Sequence, residues 1–114
     1  MHEYSLVQSL VGRVEDLVRE RRATAVHRVV VSVGELAGLD PELFRTAYDT
    51  FRAGTLCAGA SMELRTVPAR WACPGCGREI PRGAILTCPA CDLPARLSAG
   101  ADEILLETVE MEVP

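Results

Sequence analysis

The chain has 114 residues, about one domain's worth, and is 48% hydrophobic but only 4% aromatic, so an aliphatic core of Val, Leu and Ala is expected. Its formal charge is −4 and all twelve basic residues are Arg; scattered Arg on an acidic chain argues against nucleic acid as a partner, because phosphate binding needs a basic patch. No apolar run is long enough to span a bilayer, and the Met1-His2-Glu3-Tyr4 start has neither a basic nor an apolar leader region, so no membrane partner and a cytoplasmic location are expected.

Residues Ser5 to Arg22 have the pattern of an amphipathic helix. Leu6, Val7, Leu10, Val11, Val14, Leu17 and Val18 form an apolar stripe, and charged residues fill the rest. Ser5 with Gln8 three residues later resembles a capping box, which leaves the first four residues ahead of the helix and largely free of regular structure. Val26 to Leu36 read as a strand rich in β-branched residues, ending in a turn at Glu35-Leu36-Ala37 between Gly34 and Gly38. Asp40-Pro41 opens a second helix, Asp as cap and Pro at the first position. Phe44, Ala47, Tyr48 and Phe51 make its apolar face, and Gly54 is its stop signal. Ser61 to Pro68 alternate as a half-buried strand. Trp71 stands at the entrance to the cysteine-rich stretch and is expected to pack where that stretch joins the body. Asp102 to Val113 read as a last strand, with Glu107 on the apolar parity, so a bulge or register change is expected there.

The strongest chemical signal lies between the last two long strands. Cys73-Pro74-Gly75-Cys76 is answered by Cys88-Pro89-Ala90-Cys91. Each pair places two sulfurs on one side of a tight turn, and the two pairs together offer four thiolates in the tetrahedral arrangement that a structural Zn²⁺ takes. Pro74 and Pro89 pre-set the turns, and Gly75 and Gly77 permit positive φ. Disulfides or a redox C-x-x-C are the competing readings; neither a leader segment nor a βαβ context supports them. Four thiolates leave no open coordination position, so this zinc is a staple and function lies elsewhere. Cys57, the fifth cysteine, reads as a small buried hydrophobe. The fold class is therefore α+β: a small mixed β-sheet with two helices, plus an inserted zinc-ribbon-like unit. Residues 1–69 with 96–114 are expected to form the first part and residues 70–95 the second.

His2 stands one residue from the α-amine. That amine, the His2 backbone nitrogen and His2 Nδ1 can close adjacent chelate rings on one cation, a nitrogen-rich, near-planar set suited to Ni²⁺ or Cu²⁺. A bulky second residue favours retention of Met1, on which the site depends. Taken alone, a histidine near a chain start is ordinarily just solvated.

Met1-His2-Glu3-Tyr4-Ser5-Leu6, then Val33-Gly34-Glu35-Leu36-Ala37-Gly38-Leu39-Asp40-Pro41, then the four-cysteine stretch, resemble in order and spacing the HypA/HybF family of hydrogenase nickel-insertion factors. The resemblance covers essentially the whole chain. It implies a nickel metallochaperone: Ni(II), the transported ion, held by the Met1 amine, the His2 amide and imidazole and the Glu3 backbone, and Zn(II) held structurally by Cys73, Cys76, Cys88 and Cys91. It implies as partners a nickel-delivering GTPase of hydrogenase maturation and the NiFe hydrogenase large-subunit precursor, with urease maturation as a further destination. Asp40 reads as a helix cap. Glu35 is left open between a place beside the metal and one at an interface, and His27 reads as a polar strand-end residue. Two readings compete with the carrier. One is a zinc-ribbon adaptor contacting protein or nucleic acid without nickel, which needs a basic face. The other is a rubredoxin-like iron carrier, which predicts a red protein and an aromatic shell, where Trp71 is the one aromatic near the cysteines. An enzyme is not expected: there is no Ser/His/Asp set and no phosphate loop, so any GTP hydrolysis belongs to a partner.

Overall fold

The computed structural model describes residues 2–83 and 85–114. In chain order the elements are α1 (His2–Arg21), β1 (Ala25–Gly34), α2 (Pro41–Phe51), β2 (Ser61–Val67), β3 (Trp71–Ala72), β4 (Glu79–Ile80), β5 (Arg96–Leu97) and β6 (Ile104–Glu112). β1 is the centre of a three-stranded mixed sheet. β2 lies parallel to it on one side and β6 antiparallel on the other. Parallel neighbours need a long crossover, and α2 supplies it. The two strands that flank the cysteine stretch thus share a sheet, as expected, with β1 between them.

Both helices pack on one sheet face. Val7, Val11, Val14 and Val18 of α1 meet Val29, Val31 and Val33 of β1, with Phe44, Ala47 and Tyr48 of α2, in one buried core. Fully burying a Val or Phe side chain contributes about 1.5–3 kcal/mol, so this cluster is what holds the body. Cys57 is fully buried in the same core, as its small-hydrophobe reading requires. The opposite sheet face is polar: Arg28 donates to Glu110 at 2.7 Å and pairs with Glu63, which also takes Arg65 at 2.5 Å. The expected irregularity at Glu107 is present. Val30 faces Thr108 while Val31 faces Leu106, so Glu107 is the extra residue of a bulge.

Helix α1 begins at His2, not at Ser5, and residues 2–4 are helical. The Ser5–Gln8 pair does not cap the helix. The cause is tertiary: the Glu3 carboxylate accepts the Asp40 backbone N–H at 3.2 Å, which holds the first turn against the start of α2. At its other end α1 closes with Ala23 N–H on Val18 O at 3.0 Å and Arg22 in the left-handed region at φ 53°, a turn more often given to Gly.

Gly34, which closes β1, packs directly on the backbone of Gly100 and Ala101. A Cβ there would stand 2.2 Å from Ala101 main-chain atoms, so only glycine fits. α2 starts as expected. Asp40 Oδ1 accepts the Glu42 and Leu43 N–H groups at 3.0 and 3.3 Å, and Pro41 is the first helical residue. The helix ends at Phe51, and Gly54, at φ 76°, sits in the turn beyond it.

β3, β4 and β5 form a second, antiparallel sheet in the order β4-β3-β5 around the cysteines. Its core is separate: Cys73, Ile80 and Cys88, with Trp71 and Ala95 packed against them. Trp71 thus packs on the cysteine core and, beside the crossing residues Pro68 and Ala69, stands at the junction with the body. Arg96 and Leu97, placed with the body on sequence grounds, pair with Ala72 and Trp71. The small sheet thus extends two residues beyond the expected boundary at 95, because the returning chain is its third strand.

Candidate metal centres

The two cysteine pairs are built alike. In the first, Gly77 N–H closes on Cys73 O at 2.9 Å and Cys73 N–H on Arg78 O at 2.8 Å, with Gly77 at φ 78°. In the second, Asp92 N–H closes on Cys88 O at 2.9 Å and Cys88 N–H on Leu93 O at 2.9 Å, with Asp92 at φ 56°. Each turn aims an N–H at its first sulfur: Gly75 at Cys73 Sγ, 3.3 Å, and Cys91 at Cys88 Sγ, 3.4 Å. Gly77 uses the positive φ expected of it. Gly75 does not; its lack of a side chain leaves room for Leu93, whose Cδ1 would lie 2.9 Å from a Cβ placed there.

All four sulfurs lie within 4.8 Å of one another, and all five cysteines are free thiols. Cys76 Sγ and Cys88 Sγ are 3.8 Å apart. A tetrahedron with ~2.3 Å metal–sulfur bonds has edges of about 3.8 Å, so the Cys76–Cys88 separation matches such an edge and the four donors cluster closely enough to share one ion. The electrostatics lead to the same conclusion. Backbone N–H groups of Cys76 and Gly75 lower the Cys73 thiol to about 7, while the neighbouring Cys76 and Cys73 sulfurs push Cys91 up to about 12. Four thiolates this close repel one another unless a cation neutralises them. The cluster is a four-cysteine metal site. Cys73 and Cys88 are buried, with Cys76 nearer solvent.

The start of the chain is the other candidate site. Met1 lies outside the described residues. His2 is the first residue of α1 and is exposed, while Glu3 beside it is only 8% exposed. The Glu3 carboxyl is held below its ordinary range, mainly by the Asp40 N–H and then by its own N–H. Its side chain is therefore committed inward, and what this terminus offers outward is the His2 imidazole and main-chain nitrogen.

The other acidic candidates are engaged elsewhere. Asp40 caps α2. Glu35 turns to Arg82 of the cysteine unit, whose guanidinium holds its carboxyl at about 2. That carboxylate stays ionised throughout the pH range in which thiolates hold a metal. His27 sits exposed near the start of β1, 3.4 Å from Glu112. Arg82 was not anticipated from sequence; a single Arg in a turn carries no local signal of a partner 47 positions away.

A helix-covered mixed sheet carrying a small four-cysteine sheet defines a small metal-binding α+β protein. The chain belongs to the HypA family: the family model described as "Hydrogenase/urease nickel incorporation, metallochaperone, hypA" matches residues 1–111. It is 37% identical to hydrogenase maturation factor HypA of Aquifex aeolicus, over 99% of both chains. It is 34% identical to that of Wolinella succinogenes, over 98% of this chain and 96% of the relative. Its fold matches the solution structure of the Ni metallochaperone HypA from Helicobacter pylori, with TM-score 0.70 and 28% identity over 98% of each chain. A second HypA solution structure matches with TM-score 0.74 and 30% identity, over 97% of this chain and 96% of that one. The family is one of nickel metallochaperones for hydrogenase maturation. Among the described residues no helix is long and apolar enough to cross a membrane.

Proposed function

We propose that this chain carries Ni²⁺ at its first residues and passes it, with a GTPase partner, to the NiFe hydrogenase large-subunit precursor. The family description also names urease incorporation, so a urease is the alternative client. The nickel ligands are the Met1 amine, the His2 amide and imidazole, and the Glu3 backbone. Cys73, Cys76, Cys88 and Cys91 hold a structural Zn²⁺, in a unit inserted into the nickel-binding body. The observation that carries this reading is the pairing at the chain start: an exposed His2 on a first turn anchored by the buried Glu3. A cargo ion must be reachable by an incoming ligand, so its donors belong at the surface, while their backbone has to be held.

The helix start imposes a condition on the ligands. The N-terminal end of a helix dipole is positive and disfavours a bare cation. First-turn N–H groups have no acceptor within the helix, so losing their protons to a metal breaks no helical bond. Deprotonated amide nitrogens bring the negative charge the ion needs there. Helical ψ near −42° turns successive nitrogens out of a common plane, so a near-planar chelate requires the first turn to adjust.

Two outcomes test the reading. Free α-amines and imidazoles ordinarily titrate near ~8 and ~6.5, and each amide nitrogen in the set gives up a further proton on binding, so nickel affinity should rise steeply, by well over about a hundredfold, from pH 6 to pH 8. A flat calorimetric titration over that window would replace this set with carboxylates. At Glu3, the Gln variant keeps an oxygen for the Asp40 N–H and should bind nickel within a few-fold of the native protein. Glu3→Ala loses that anchor and should weaken nickel binding about 10–100-fold, the usual cost of removing a group that orients ligands. Equal losses in both variants would make the Glu3 carboxylate itself a ligand.

A further inference from the structure

Arg82, in the turn after β4, reaches out of the cysteine unit to the body. Its Nη1 donates to Glu35 Oε2 at 2.5 Å and its Nη2 to Glu35 Oε1 at 2.7 Å. Nη2 also donates to the Ala69 carbonyl at 2.8 Å, and the Ala69 N–H returns to Glu35 Oε1 at 2.8 Å. Glu35 leaves the end of β1, where its own N–H is fixed on Val67 O at 2.8 Å. Ala69 is the buried residue at which the chain passes from β2 into the small sheet. One planar guanidinium therefore joins three segments: the end of the central strand, the outgoing crossing and the turn of the cysteine unit.

The other bonds near this joint do not do the same. Ser98 ties the outgoing crossing to the returning one through Arg70 N–H, Arg70 O and Pro68 O, at 3.1, 2.8 and 3.1 Å. Arg70 and Glu79 pair within the cysteine unit at 3.4 Å. Among the described residues, Glu35–Arg82 is the one ion pair between the body and the unit beyond the crossings. Beside it lies a cavity of about 530 Å³ lined by Pro68, Ala69, Trp71, Ile80 and Pro81 together with Arg82, while Glu35 lines a neighbouring groove with Gly34, Val67 and the shared Pro68.

We propose that Glu35 and Arg82 form an ionic clamp that sets the orientation of the cysteine unit on the body, and with it the shape of this cavity. The two cores are separate, so no continuous apolar interface fixes that orientation. The pair is partly exposed, 39% at Glu35 and 58% at Arg82. Exposed pairs add little to global stability. Holding one orientation against rotation about two short crossings needs far less than holding a fold, so the clamp governs geometry and not melting. Bidentate geometry matters, because Lys carries the charge but not the planar fork. This inference does not rest on the nickel reading.

The test is ¹⁵N relaxation and residual dipolar couplings on the full chain as purified, with metal content measured and no nickel added. The native protein should show one alignment tensor and one correlation time for body and cysteine unit. Arg82→Ala should give the cysteine unit its own, smaller couplings, while its Cys73 and Cys88 amide shifts, metal content and melting temperature stay as in the native protein. Arg82→Lys should fall between, and raised salt should loosen the native protein toward Arg82→Ala. A common tensor retained in Arg82→Ala, or two tensors already present in the native protein at low salt, would overturn the clamp. Arg82 is largely exposed, so its variants decide the matter even where a Glu35 variant disturbs the end of β1.

Discussion

Cys73→Ser and Cys88→Ser proteins should purify with substoichiometric zinc and an unfolded segment from about residue 70 to 97, on a body that keeps its fold. The size of the effect follows from what the cysteine unit has besides metal. Among the described residues its buried core is Cys73, Ile80 and Cys88, and two of the three are themselves proposed ligands. Ile80 alone, with the half-buried Trp71 and Ala95, cannot order the segment; units below about 40 residues usually need a metal, disulfides or a partner. A structural zinc supplies an apparent 10–16 kcal/mol in small peptides of this kind, so here the metal is most of the folding energy. The body has its own core of Val, Phe and Tyr side chains and does not depend on it. Metal analysis with amide-resolved NMR separates the two parts in one sample. Cys57→Ala, in the body core, is the control and should leave zinc content unchanged. Soluble, folded protein whose four cysteines are oxidised and metal-free would sink the zinc reading.

Where the sequence was legible, the deciding physics was local. C-x-x-C places two sulfurs on one turn wherever it occurs. Asp40-Pro41 carries its own cap and its own preset φ. The displaced parity at Glu107 announces a bulge, because side-chain direction in a strand has a period of two. The misses have non-local causes. Ser5 and Gln8 looked like a helix start, but Glu3 finds its acceptor role at Asp40, which local pattern cannot foresee. The small sheet is made of two-residue strands, too short to show any period, and Arg96-Leu97 joins it because the returning chain pairs with Trp71 and Ala72. The place of Glu35 is set by Arg82, 47 positions away, which no local pattern announces. The four-cysteine cluster was readable and the contacts that support it were not, since supports are tertiary contacts.

Adding a single Gly ahead of Met1 should abolish most nickel binding, as His2→Ala should, with zinc content and fold intact. The extension leaves every side chain where it was. It turns the ligating amine into a peptide nitrogen and moves the free amine one residue away, which breaks the run of adjacent chelate rings. The helix does not compensate. α1 starts at His2 and is anchored through Glu3 and Asp40, so an extra residue ahead of Met1 lies beyond that anchor. The cysteines lie about seventy positions away in a separate core, so their metal is indifferent to the change. The adaptor and rubredoxin-like readings expect no effect from either variant. The experiment needs the N-terminal mass of both proteins, because the reading holds only where Met1 is the first residue of the native one. Nickel titration by calorimetry, with zinc measured in the same samples, gives the result. If the extended protein binds nickel as tightly as the native one, the amine is not a ligand. His2 would then act as an ordinary imidazole donor, and carboxylates now engaged at Asp40 and Arg82 would have to be released to complete the site.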